Sequence, residues 1–217
     1  NRATLLSEIA TLPGEDRRAR LTQALRGAAE AVMLFEQYQQ VQYLEVGRRV
    51  LAGLRRDCGE DFPALWAAAG LGEPPEWLDY MARLQAADVE TPDVAEWQAI
   101  VTAGVELLAA GAAGLPGLDA DALRKRVASN YNTLGNAHDS AGDATAALAA
   151  FERAIELQPG FAMWRRNQAG TLIELGRLDE AAAAIEQARA LEPEAPRLAQ
   201  LAAQLAAARV NAGIAGG

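Results

Sequence analysis

Between residues 128 and 195 one pattern is written twice, 34 residues apart. Gly142 recurs as Gly176, Ala147 as Ala181, Ala154 as Ala188 and Pro159 as Pro193, and Phe151 recurs conservatively as Ile185. A fixed period of this length constrains the fold more than any bulk property. Each unit is a piece of supersecondary structure that cannot bury its own apolar face and must stack on a neighbour. The residues of the first copy say what that piece is. Tyr131, Leu134, Gly135 and His138 lie at spacings of three and four, along one helical face. Gly142 stands where a helix end needs a left-handed residue without strain at Cβ, and Asp143 stands at the N-cap of the next helix. Ala147, Phe151 and Ala154 give that helix a stripe in which small residues allow close approach and Phe151 fills the gap. Pro159 ends the unit, since it cannot continue a helix.

These residues resemble the tetratricopeptide repeat, a helix–turn–helix unit of 34 residues. Counted from Ala128, the family's signature positions fall on Tyr131, Leu134, Gly135, His138, Ala147, Phe151, Ala154 and Pro159. His138 departs from the large apolar residue usual there. The second copy, 162–195, is weaker in its first helix, where Arg165, Gln168 and Ala169 replace the usual residues and Leu172 fits. Its second helix matches through Ala181, Ile185, Ala188 and Pro193. Residues 196–210 begin as a third unit would, but supply a single helix. We read it as a cap with a polar outer face over an exposed apolar end. Residues 211–217 read as a flexible tail.

Composition supports an all-α reading. The chain is 51% hydrophobic and rich in Ala and Leu, with few β-branched residues. The expected architecture is an N-terminal helical region, 1–118, packed on a repeat domain with its capping helix, 119–210. A degenerate repeat at 92–118 would let both parts share one core. The formal net charge of −9 argues against nucleic-acid binding, which needs a basic footprint. The acid excess sits in residues 58–118, which hold ten acidic residues and one basic residue, Arg83. That stretch reads first as a solvated face and second as a docking patch for a basic partner. The single cysteine, Cys58, excludes an internal disulfide and reads as a structural thiol. No run of 18 apolar residues occurs, so no membrane span is expected, and a cytoplasmic location is the simplest expectation.

Toward the N-terminus, Leu5, Ile9 and Leu12 predict a short helix stopped by Pro13-Gly14. From Glu15 to Cys58 there is no proline, and Leu21, Leu25, Ala28, Val32 and Phe35 mark one helical face. An unbroken helix of that length would reach about 65 Å at roughly 1.5 Å per residue, so a break is expected between Glu36 and Gly47, with Gly27 a second candidate. Asp61-Phe62-Pro63 reads as a helix start, with Trp66 buried and Gly70 as the stop. Glu76–Ala87 predicts a helix with Trp77, Tyr80, Met81 and Leu84 along one side, as core rather than ligand pocket. Thr91-Pro92-Asp93 reads as a helix start, with Thr91 capping and Pro92 in the first turn. The Gly-rich stretch 111–118 follows a helix rather than a strand and lacks the Lys-Ser/Thr of a phosphate loop. Asp119 reads as the cap of the helix that enters the first repeat.

Nothing in the sequence marks a reaction. There is one histidine, His138, and it falls on a packed helical face. No nucleophile elbow, zinc-binding His-Glu-x-x-His or cysteine pair occurs. We therefore expect no enzyme activity, no cofactor and no metal. The resemblance instead implies a concave groove lined by the first helix of each unit. Its ligand-facing positions fall on Ser129, Asn132, Asn136 and Asp139, then on Met163, Arg166, Gly170 and Ile173, with Arg197 and Gln200 continuing the row. Amides such as Asn132, Asn136 and Asn167 suit a peptide backbone, and Arg166 suits a carboxylate. In co-chaperone members of the family two asparagines and several basic residues hold a peptide's terminal carboxylate. Asn136 and Asn167 match those asparagines and Arg197 falls near a later basic position, whereas Asn132 stands where a Lys is expected. The candidate groove residues are thus Asn132, Asn136, Asp139, Arg166, Asn167 and Arg197. The implied partner is a peptide segment or a helix of another protein. Two alternatives stay open: a regulatory or substrate-recruiting part of a larger enzyme, and a homo-oligomer.

Overall fold

The computed structural model describes residues 12–87, 92–111 and 120–213, apart from the side chain of Val41. The helix expected around Leu5 and Ile9, the caps expected at Thr91 and Asp119, and most of the Gly-rich stretch lie outside those residues. Among the described residues the regular structure is helical throughout. The chain divides into two compact units, one formed by Asn1–Pro92 with Glu106–Asp119, the other by Asp93–Val105 with Ala120–Gly217.

In the first unit the proline-free stretch is broken as helix length requires. Helix α1 (Gly14–Gln37) and helix α2 (Val41–Cys58) are separated by a turn in which Gln39 takes a positive φ of 52°. Gly27 lies inside α1 and does not interrupt it. Gly47, one limit of the expected break, lies inside α2 and serves packing. A Cβ there would come within 3.2 Å of Val32 and 3.3 Å of Phe35, so the missing side chain lets α2 cross close to α1. Leu21, Leu25, Ala29 and Val32 are buried along α1. Helix α3 (Phe62–Ala69) carries Pro63 in its first turn, buries Trp66, and ends at Gly70 in the left-handed conformation. Helix α4 (Glu76–Ala87) buries Trp77, Leu78, Tyr80 and Ala82. Helix α2 packs on α1 and α4, and α1 also packs on α3. Buried Arg48 donates to the Glu36 carboxylate at 2.9 Å and lies over the Trp77 ring. Cys58 is buried, and its thiol is pushed up to about 11, chiefly by burial and then by the Asp57 carboxylate. That is the chemistry of an inert thiol.

In the second unit, helix α5 (Val94–Ala109) contributes its turns through Val105. Its N-cap is Asp93, whose carboxylate accepts from the Glu96 N–H at 2.8 Å. The acid is therefore itself the capping side chain of this start. Two helical hairpins follow: helix α6 (Ala120–Ser140) with helix α7 (Ala144–Leu157), and helix α8 (Ala162–Glu174) with helix α9 (Leu178–Leu191). Helix α10 (Pro196–Asn211) lies against α8 and α9, and α7 packs on α8. Gly142 and Gly176 both adopt the positive φ that ends the first helix of each hairpin, and Asp143 caps α7 by accepting from the Ala146 N–H at 3.0 Å. The helices of the first hairpin approach closely at Gly135, where a Cβ would stand 2.5 Å from the Phe151 ring. On the side of α5, Val101 meets Leu134 and Ala150 with Trp97 and Tyr131 around them. Trp164, which the signature positions do not include, is buried against Ala128 and Ala154 and stacks on Phe161 at 4.6 Å. A continuous core then runs from Leu148 through Leu172, Ile185 and Ala188 to Leu198, Leu201 and Leu205. The exposed surface of α10 is not uniformly polar, in contrast to the polar outer face expected of a cap. Gln200 and Gln204 are exposed, but so are Ala203, Ala206, Ala207 and Val210.

Candidate functional site

The inner surface of the second unit is carried by α6, α8 and α10, the first helices of successive units. A 34-residue period places equivalent residues side by side on them. Asn167 on α8 stands at the centre. It donates from Nδ2 to Asn132 Oδ1 at 2.9 Å and to Asn136 Oδ1 at 3.4 Å, both on α6. Its own Oδ1 accepts from the Arg197 guanidinium of α10 at 3.5 Å. One amide thus links three helices, using its donor and acceptor ends in opposite directions.

The link sorts the candidate residues. Asn132 is 6% exposed, and its oxygen is spent on Asn167. It orients the central amide from inside the structure and does not offer itself as a contact surface. Arg166 is largely covered and forms an ion pair with Glu192, in the turn after α9, so its guanidinium already has a carboxylate. Neither residue is the open binding group that its position in the repeat implies. Asn136, Asp139 and Arg197 are exposed. With Asn167 they line a cleft of about 290 Å³. Its remaining walls include Gly170, Thr171 and Glu174. Buried Thr171 donates from its hydroxyl to the Asn167 carbonyl at 3.3 Å, fixing the turn of α8 that carries the central amide.

Of the other positions in the row, Ser129, Met163 and Gln200 are exposed, while Ile173 packs against the core. Glu174 and Thr171 are cleft residues that the ligand-facing positions do not name. The helical spacing of Gly170 and Glu174 from Asn167 could have found Glu174. The cleft is therefore mixed in charge, since Asp139, Glu174 and Arg197 line it together with neutral amides. Such a lining offers donors and acceptors to a polypeptide backbone without a single-sign field. Elsewhere among the described residues, no group of three or more His, Cys, Asp or Glu side chains is placed to hold a metal ion. Nor is any described helix long and apolar enough to cross a membrane.

Two comparisons bear on this geometry. The family model of the tetratricopeptide repeat matches residues 132–196, from within α6 through the second hairpin to the first residue of α10. No curated protein matches the chain.

Proposed function

We propose, from the premise that residues 132–196 belong to the tetratricopeptide repeat family of protein–protein interaction modules, that the cleft on α6, α8 and α10 binds an extended peptide segment of a partner protein. The observation that carries this reading is the set of exposed polar groups, Asn136, Asp139 and Arg197, gathered around an Asn167 amide held in place from behind by Asn132. Asn167 holds the Asn136 amide through its oxygen and leaves the Asn136 Nδ2 group to the guest, and a side chain ordered in advance loses little freedom when it bonds a peptide backbone. Arg197 adds a cation at one end of the cleft for a carboxylate of the guest. Specificity would come from the acids Asp139 and Glu174, which repel an acidic guest at the other positions.

The test uses peptides selected from a random library on the intact chain. Each hydrogen bond is worth about 0.5–1.5 kcal/mol and one to a charged group about 1.5–3 kcal/mol. Replacing Asn167 and Arg197 together by Ala should then weaken a selected peptide at least tenfold, with the helical circular dichroism unchanged. Peptides that bind the double variant as well as the parent would place recognition elsewhere.

A further inference from the structure

A second groove lies on the other side of α10, and the period of the repeat says what belongs in it. It holds about 350 Å³ between α9 and α10, floored by Ile185 and Leu205 and walled by Ala182, Ala206, Arg209 and Val210. One period earlier, Ala182, Ala206 and Arg209 correspond to Leu148, Leu172 and Leu175. Those three leucines pack in the core that α9 completes with Leu178, Ala181 and Ile185. The groove is thus the seat that the second helix of a third unit would take. Alanine has replaced leucine at two of its walls, so the seat is deeper than the one α9 fills.

We propose that this groove binds one amphipathic helix of a partner protein, with bulky aliphatic residues along its buried stripe and acidic residues beside it. The spacing of the stripe follows from α9, whose Leu178, Ala181 and Ile185 enter the preceding seat at i, i+3 and i+7. The bulk follows from the volume that the alanines leave open. The acids follow from the cation that replaces Leu175. Arg209 is held by Asp179 through one terminal nitrogen at 2.9 Å, while its buried Nε meets no acceptor among the described residues. Arg189, also at the groove, is paired with Glu186 beside it, so the preference for an acid rests on Arg209. A second copy of this chain fits less well. Away from the groove, α10 presents alanines at 203 and 207, which are too small to fill the seat of another copy. This surface is separate from the peptide cleft and stands whether or not that cleft binds a peptide.

The probe is a helix-stabilised synthetic peptide with Leu at i, i+3 and i+7 and flanking Glu residues, titrated by fluorescence anisotropy against the intact chain. A twin carries Lys in place of each Glu. Saturable binding is expected for the first peptide, at least tenfold weaker binding for the Lys twin, and at least tenfold weaker binding to Ala206→Glu. Val210→Asp should act in the same direction. Both positions are exposed, so both variants should keep the parent's circular dichroism. Replacement of Asn167 and Arg197 by Ala should leave this affinity unchanged. Binding to Ala206→Glu and Val210→Asp as tight as to the parent, or loss of affinity in the cleft variant, would overturn the assignment. So would a dimer in sedimentation equilibrium that Ala206→Glu dissociates, because the occupant would then be a second copy.

Discussion

Replacing Gly135 by Ala should destabilise the second unit, and replacing Gly170 by Ala should stabilise it. Both glycines lie inside first helices of the repeat, α6 and α8, so helix propensity alone favours Ala at each by about 1 kcal/mol. The difference lies in what a Cβ would meet. At Gly170 the nearest neighbour is a Leu201 methyl at 3.8 Å, an ordinary contact. At Gly135 three atoms of the Phe151 ring stand at 2.5, 2.7 and 2.9 Å. That ring is 2% exposed and borders the cleft, so the added methyl must move a helix, force a poor rotamer or push the ring into the cleft. Overpacking of this kind costs about 1–3 kcal/mol. After the propensity gain, Gly135→Ala should lose up to about 2 kcal/mol, while Gly170→Ala gains about 1 kcal/mol. Urea denaturation followed by circular dichroism at 222 nm reads both. Adding Phe151→Leu to Gly135→Ala should recover part of the loss, since a smaller side chain makes room, and the double-mutant cycle isolates that coupling. If both Ala variants stabilise alike, Phe151 does not sit in the notch of Gly135, and the close approach of α6 and α7 is refuted.

Further outcomes follow from the same contacts. Asp143→Ala removes the side-chain cap of α7 and should cost about 1 kcal/mol in the same denaturation, whereas Asp143→Ser should restore most of it. Trp164→Ala should cost about 3–5 kcal/mol, because it empties a buried site between Ala128 and Ala154, and the near-ultraviolet dichroism of the Phe161–Trp164 pair should vanish. Cys58 should resist a thiol reagent at pH 8 in the folded chain and react fully in denaturant. Its thiol releases its proton at about 11 when folded against the ordinary 9.0, so between those values the unfolded chain holds fewer protons. The stability contributed by the buried neutral thiol is therefore complete below pH 9 and falls as pH rises through that window, and Cys58→Ala should remove this part of the alkaline slope.

The parts of the fold legible in the sequence are those written in local chemistry. Gly142 and Asp143 announce a helix end and the next start because a left-handed turn and an unsatisfied helix N-terminus each admit few residue types. The break after Gln37 was legible only to within several residues. Helix length demands an interruption but does not choose among Tyr38, Gln39 and Gln40, where Gln39 takes the positive φ. Gly47 looked like part of the break because a glycine in a helix weakens it. The structure uses it for approach to Val32 and Phe35, a tertiary reason that no local pattern carries. The same limit governs the cleft. The register of the repeat puts Asn132, Asn136, Asn167 and Arg197 on one surface, and they do meet. It does not say that Asn132 is buried behind Asn167, or that Arg166 is taken by Glu192, because the partner lies 26 residues away on a different helix–turn junction. Trp164 went unread for a related reason. Its neighbours, Ala128 and Ala154, belong to the preceding unit, and contacts between units leave no mark in the spacing within one.

The side-chain amide resonances of Asn136 and Asn167 offer the most direct reading of the peptide cleft. In a nitrogen–proton correlation spectrum of the intact chain, a library-selected peptide should shift both amide pairs and the backbone signals of Gly170 and Thr171 in proportion to occupancy. Saturating peptide that leaves those signals in place while moving others, such as those of α7, would contradict the proposed role of the inner surface.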